Sequence, residues 1–267
     1  GMYDPVAIRD FLKYAYENWA RRPSFVLLFG DGDYDPKNII VKTDKNWIPS
    51  FHTDDLHSID SHESRVTDSW FTYLAGGDND IKMDLAIGRI PSRSLADAEA
   101  YVDKIIKYET APAFGAWRNT VIMVADDELY TGGVPNGETI HTSDTERLAQ
   151  NFTPRYFDVK KLYLMEYAAV QSASVSGVKK PTATEALLRL LNNGSLIVNY
   201  TGHGNPTVWA HERVLELSED FDRIQNGDRQ AVWIAATCTF GKFDDPDRQS
   251  FAEQLVMVPK RGAIAAL

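Results

Sequence analysis

The sequence predicts an α/β protein built around a mainly parallel sheet. Three observations carry that expectation. Segments of helical periodicity alternate with short apolar segments along the chain. Two of the apolar segments, 196–200 and 231–236, run hydrophobic without alternation, as strands covered on both faces should. Between them lies enough chain for the helical crossover that a parallel pair requires.

Asp4-Pro5 opens a helix expected to reach residue 19, because Ile8, Phe11, Leu12, Ala15 and Trp19 form one apolar stripe. Residues 25–29 read as a short, wholly apolar strand that ends at Gly30-Asp31-Gly32, and 85–90 as another strand. Ser94 caps a helix carrying Ala98, Tyr101, Val102, Ile105 and Ile106 on its apolar side. The stretch 111–115, Ala-Pro-Ala-Phe-Gly, reads as a joint. It divides an N-terminal α/β subdomain, 1–115, from a second subdomain, 116–267. In the second, strands are expected at 121–125, 161–164, 196–200 and 231–236. Helices are expected at 143–151, from Thr182 or Thr184 to Leu191, at 212–225 and at 250–256.

The chain has 267 residues and a formal charge of −10, which sets it against phosphate backbones and excludes nucleic acid as the expected partner. No apolar run approaches the roughly 18–20 residues of a membrane span. Gly1 ahead of Met2 reads as a vector remnant, and Ala265-Ala266-Leu267 lies within an apolar run. The expectation is therefore a piece of a longer protein, with no export signal in the piece itself. A single cysteine, Cys238, rules out an internal disulfide and any multi-thiolate zinc site.

Immediately past strand 196–200 stands Thr201-Gly202-His203-Gly204-Asn205, and immediately past 231–236 stands Thr237-Cys238-Thr239-Phe240-Gly241. Open α/β sheets bind ligands at the carboxyl ends of their strands. If the two strands are neighbours, His203 and Cys238 emerge side by side there. A lone cysteine at a strand end is commonly core, and a histidine among glycines is commonly a turn residue. Their placement one βαβ unit apart points instead to a thiol nucleophile with an imidazole base. The amides of Gly204 and Cys238 are then candidates for an oxyanion hole. Asn205, Trp209 and Thr237 are candidates for the substrate cleft, Trp209 being equally readable as core. No Gly-x-Ser-x-Gly elbow supports a serine hydrolase.

At these residues the sequence resembles the gingipain family of cysteine peptidases. Asn199-Tyr200-Thr201-Gly202-His203-Gly204 is similar to the family's histidine motif, and Ala236-Thr237-Cys238-Thr239-Phe240-Gly241 lies where the family places its nucleophile. The likeness extends through 25–31, 67–71, 84–90 and 104–109. It implies a caspase-like α/β/α sandwich and a cysteine-type peptidase with a Cys238–His203 dyad. It also implies an acidic residue that orients the histidine, here Asp126 with Asp127 in reserve, following the apolar run that ends at Ala125. The reaction needs no cofactor, and the resemblance allows a structural calcium ion. Glu138, His141 and Asp144 lie in the region of the family's specificity pocket, with no substrate preference assigned.

Residues 4–12 and 240–246 are closer to the sortase branch of the family, which serves type IX secretion. That likeness implies protein substrates with C-terminal sorting domains, other type IX secretion components as partners, and an exported protein at the bacterial cell surface or outer membrane. Two rivals stand beside it: a general secreted gingipain-like protease, and a catalytically silent scaffold of the same fold.

Two further signals carry no assignment. Asp31-Gly32-Asp33-Tyr34-Asp35 resembles the start of a calcium loop, but Lys42 stands where an EF-hand needs glutamate. His52, His57 and His62 recur among Asp54, Asp55, Asp60 and Glu63 without a spacing that would set a zinc site, so no metal ligands are named.

Overall fold

The helices begin where the sequence supplies caps. Asp4 accepts a hydrogen bond from the Val6 amide at 2.9 Å and starts helix Pro5–Asn18, with proline at a first-turn position where no amide hydrogen is needed. Ser94 accepts from the Asp97 amide at the start of helix Leu95–Thr110. Ser250 and Glu253 form a reciprocal capping box on helix Phe251–Met257. The computed structural model describes residues 4–35, 37, 39, 47–53, 65–76, 82–130, 134–172 and 177–267. Lys42, Asp54, Asp55, His57, Asp60, His62 and Glu63 lie outside the described residues.

The chain divides into two compact units, Gly1–Ala98 with Lys242–Gln249, and Glu99–Gly241 with Ser250–Leu267. The border expected at 115/116 thus falls inside the second unit. The reason lies in helix Leu95–Thr110. Its buried Tyr101 donates to the Ile264 carbonyl at 3.1 Å, and its buried Lys104 donates to the Val256 and Val258 carbonyls at 2.8 and 3.0 Å.

In the first unit, strands Phe25–Phe29 and Ala86–Ile90 pair in parallel, Phe25 opposite Ala86 through Phe29 opposite Ile90. Leu12, Leu28, Phe71, Leu74 and Leu85 form its buried cluster. Arg89, nearly buried, binds both oxygens of Asp68 at 2.8 Å and the carbonyls of Gly30 and Ile48. The segment Lys242–Gln249 belongs here. The Tyr34 amide donates to the Asp244 carbonyl at 2.8 Å, and the Phe243 ring lies under the Arg89 guanidinium. His52 Nε2 sits 2.9 Å from Asp244 Oδ2. The buried carboxylate of Asp31, first in the calcium-like string, is closely ion-paired with Arg93.

The second unit holds a five-stranded sheet in the order Ala263–Ala266, Ala231–Ala236, Ile197–Thr201, Thr120–Ala125, Asp158–Tyr163. All four pairings are parallel. From Thr120–Ala125 the chain passes through helix Ile140–Arg147 to Asp158–Tyr163 on one side. It then crosses through helix Pro181–Asn193 to Ile197–Thr201 on the other. The sheet therefore reverses direction between Thr120–Ala125 and Ile197–Thr201, the kind of switch point that opens a crevice beyond the strand ends.

The helix expected at 212–225 is mostly replaced. Val208–Trp209 and Leu215–Glu216 join Gly204–Asn205 in a short antiparallel meander, followed only by Leu217–Asp220 and a 3₁₀ turn, Phe221–Arg223. Ala210 and Arg213 adopt left-handed backbone angles, φ 62° and 53°. Val208, Trp209 and Ala210 are buried in succession, and Val214, Leu215 and Glu216 again in succession, runs of three neighbours that no single helix face could accommodate.

Candidate active site

The two strands expected to be neighbours are neighbours. Ile197–Thr201 pairs with Ala231–Ala236 so that Thr201 stands opposite Ala236. His203 and Cys238 each lie two residues beyond that final pair. On the other side Thr201 stands opposite Ala125, so Asp126 follows the third strand at the same level. The Asp126 amide donates to the Thr201 carbonyl, and the Gly202 amide to the Ala236 carbonyl. Three loops thus leave one sheet edge at the switch point, carrying an acid, an imidazole and a thiol.

The glycines of the histidine loop are required by space. A Cβ on Gly202 would lie 2.4 Å from the Asp126 Cβ and 2.6 Å from the Tyr200 hydroxyl. One on Gly204 would lie 2.5 Å from the Thr237 hydroxyl, which brings the backbone of the histidine loop onto the residue before Cys238. The Tyr200 hydroxyl donates to the His203 carbonyl at 2.6 Å, and its ring stacks on Trp209 with centroids 4.2 Å apart. Trp209 is 1% exposed and packs also on Trp233 and Phe240. The substrate-cleft assignment of Trp209 is therefore corrected: it belongs to the core. Asn205 is exposed and lines a small depression with His203, Gly204, Val208, Ala210 and His211. Thr237 is half-buried against Gly204.

Asp126 is also corrected as the group on the imidazole. It is 1% exposed, and its carboxylate accepts the backbone amide of His203 at 2.9 Å and that of Asp127 at 2.9 Å. Asp126 holds the histidine loop through its main chain. Burial pushes its carboxyl up, and the two amide hydrogen bonds oppose that rise. The carboxylate that reaches the ring is Glu138, whose Oε2 lies 3.0 Å from His203 Nε2. The hydrogen bond with His203, helped by Asn136, holds the Glu138 carboxyl below its ordinary range. Glu138 is fixed in turn by an Asn136 side chain that accepts its amide at 2.9 Å. With the proton on Nε2, Nδ1 is the ring nitrogen left to accept another. The rings of His141 and His211 flank His203, at centroid distances of 5.1 and 4.7 Å.

Cys238 is free and exposed. It precedes Thr239, a β-branched residue held at φ 49°. That left-handed angle is costly for threonine and marks a sharp turn imposed by the surroundings. The turn presents Cys238 to solvent while Phe240 enters the core.

Asp127, the reserve candidate, is committed elsewhere. It forms a close buried ion pair with Lys180, which also donates to the Leu164 carbonyl at 2.6 Å. Fully buried Glu212 has an oxygen within 4.8 Å of carboxylate oxygens of both Asp126 and Asp127. Neither of its oxygens has a hydrogen-bond partner among the described residues. Burial, with Asp127 and Asp126 adding, raises its carboxyl to about 8. Two sets of metal-capable groups therefore occur among the described residues: this buried acid triad, and Glu138, His141 and His203 at the surface.

Comparison with known proteins agrees with this geometry. The chain is 26% identical over 261 residues to gingipain R2 of Porphyromonas gingivalis strain ATCC 33277, covering 96% of this chain and 29% of that protein. It is likewise 26% identical over 261 residues to a gingipain R1 of Porphyromonas gingivalis, covering 96% of this chain and 22% of that one. The crystal structure of the Arg-specific cysteine proteinase gingipain R superposes with a TM-score of 0.70 at 22% identity, over 98% of this chain and 52% of that chain. The complex of the RgpB pro- and mature domains gives a TM-score of 0.67 at 22% identity, over 98% and 53%. The chain thus spans under a third of these curated relatives and about half of the solved chains. The fold is the caspase-like α/β fold of those structures. The model of peptidase family C25 matches residues 1–267 from end to end. The chain belongs to peptidase family C25, the gingipain-like cysteine peptidases.

Proposed function

We propose that this chain carries the catalytic centre of a cysteine endopeptidase, with Cys238 as nucleophile, His203 as base and Glu138 as the residue that positions the imidazole. The observation that carries the reading is the register. Thr201 opposite Ala236 brings a histidine loop and a thiol turn off adjacent parallel strands, each two residues past the pair. His203 takes the thiol proton at Nδ1, the ring nitrogen that does not face Glu138. The thiolate sulfur adds to the peptide carbonyl carbon, with the Gly204 and Cys238 amides as donors to the oxyanion. The C–N bond then breaks, and the imidazolium protonates the departing amine. Water or a second amine attacks the thioester and returns the sulfur as thiol. Hydrolysis and transpeptidation differ only in which nucleophile arrives.

The finer substrate class rests on the likeness of residues 4–12 and 240–246 to PorU, the sortase of type IX secretion. On that reading the substrates are exported proteins bearing C-terminal sorting domains, processed at the outer surface of a bacterium beside other secretion components. No helix among the described residues is long and apolar enough to cross a membrane. A general gingipain-like protease is the alternative outcome of substrate profiling. Cleavage confined to sorting-domain junctions supports the sortase, and cleavage of many unrelated peptides supports the protease.

The first test of the centre is alkylation of Cys238 by iodoacetamide near neutral pH. The wild type should react at least about tenfold faster than His203→Ala, with Glu138→Gln in between. A rate that the two substitutions leave unchanged, in protein whose circular dichroism shows it folded, would return the thiol to an inert role and leave a silent scaffold.

A further inference from the structure

Three side chains at the mouth of the site converge in a way the peptidase reaction does not require. Glu138 and His141 stand three residues apart where helix Ile140–Arg147 begins, and His203 comes from the loop after Ile197–Thr201. One donor atom from each lies within 4.8 Å of the other two. His203 Nε2 is 3.0 Å from Glu138 Oε2, and His141 Nε2 is 3.3 Å from Glu138 Oε1. That His141 nitrogen is buried and has no hydrogen-bond partner among the described residues. Catalysis uses the Glu138–His203 pair and has no task for His141.

Two imidazoles and one carboxylate are a donor set suited to zinc and its borderline neighbours, and a poor one for calcium or magnesium. Donors about 2.0–2.1 Å from a tetrahedral ion are separated by roughly 3.3 Å, close to the spacings already present. All three residues are partly exposed, which leaves an approach for the ion and a fourth position for water.

We infer that Glu138, His141 and His203 form a binding site for zinc or a similar divalent transition ion, and that occupancy switches off the catalytic histidine. The binding half stands on the geometry, and the consequence for activity rests on the proposed function. The chemistry of the switch is a change of tautomer. An ion bound at Nε2 takes the place of the proton there, and that proton moves through solvent to Nδ1. The bound imidazole stays neutral and carries its one N–H hydrogen on Nδ1. The nitrogen that would accept the thiol proton then has no lone pair to offer. The ion simultaneously draws Glu138 away from its orienting role. No redox step is involved, and removal of the ion restores the working tautomer.

Cobalt(II) serves as the probe, added to the Cys238→Ala protein, with circular dichroism confirming the fold of every variant. One cobalt per chain should bind with the intense visible bands of a tetrahedral site, and zinc should displace it. His141→Ala in the same background should bind at least about tenfold more weakly. In protein that retains Cys238, zinc should inhibit peptide cleavage or alkylation, and His141→Ala, measured against its own metal-free rate, should need at least about tenfold more zinc for the same inhibition. Failure of the Cys238→Ala protein to bind cobalt would overturn the inference, since chelation would then need the thiol. Equal affinity in His141→Ala would overturn it as well. Cobalt binding in a chain whose thiol is inert would uphold the metal site and sink the peptidase reading, so the two ideas fail separately.

Discussion

Glu212 ties the chemistry of single residues to stability. Its carboxyl titrates near 4.5 in its ordinary state and is raised to about 8 in the fold by burial and by Asp127 and Asp126. Between those limits the folded chain holds a proton that the unfolded chain has lost. Stability from this group is therefore present below about 4.5 and declines as pH rises towards about 8. Glu212→Gln keeps the shape and removes the titration. Its urea midpoint should exceed that of the wild type above about pH 8, by the equivalent of about 1–3 kcal/mol, and the difference should shrink on acidification. A difference independent of pH would show that Glu212 is charged and compensated in the fold. Asp126 shows how far single residues were legible. An acid directly past an apolar run is visible in sequence, but which hydrogen bond it makes is not. A carboxylate at a strand end competes for main-chain amides as readily as for a ring. Glu138 was placed only in the region of the specificity pocket, and its contact with the ring was not legible, because 65 positions separate it from His203 and it lies in a loop with no periodicity to register it.

At the scale of elements, the histidine loop works because it has no side chain where it crosses its neighbours. Gly202→Ala would drive a methyl group into Asp126 and Tyr200, both buried and both hydrogen-bonded to the loop. We expect a loss of about 1–3 kcal/mol in urea unfolding together with a sharp fall in Cys238 alkylation. Gly88→Ala is the control, since a Cβ there meets nothing within 4 Å and should leave both measurements nearly unchanged. Strand 196–200 was legible because its burial leaves a nearly continuous apolar run, and 231–236 because it is apolar throughout although Ile234 is exposed; the neighbouring placement of His203 and Cys238 was legible because both sit directly after those runs. The helix at 212–225 was misread because the buried stretch around Val214 and Leu215 mimics one turn of helical periodicity. A meander that buries both of its faces carries no alternation to contradict it.

For the whole molecule, the sequence offered a joint at 111–115, whereas the compact units divide at Ala98/Glu99, because the tertiary contacts of Tyr101 and Lys104 tie most of helix Leu95–Thr110 to the second unit. No pattern in the sequence marks Lys242–Gln249 as part of the first unit. Its attachment runs through Arg93, which is ion-paired with fully buried Asp31 and donates to the Asp245 carbonyl at 2.6 Å. Arg93→Ala removes the cation beside a buried carboxylate, and a loss on the order of 3 kcal/mol is expected by chemical denaturation. A change under about 0.5 kcal/mol would mean that Asp31 is satisfied without the guanidinium.

That returning segment has a consequence for synthesis. A ribosome finishes the strands and helix of the first unit within the first hundred residues, yet Arg93 and His52 wait for partners encoded 152 and 192 codons later, and Tyr34 for the same Asp244 as His52. The first unit can reach its final form only after Cys238 has already been made. Maturation of the first unit is thereby timed to follow translation of Cys238, and a nascent chain arrested before residue 242 should display a first unit open to proteases.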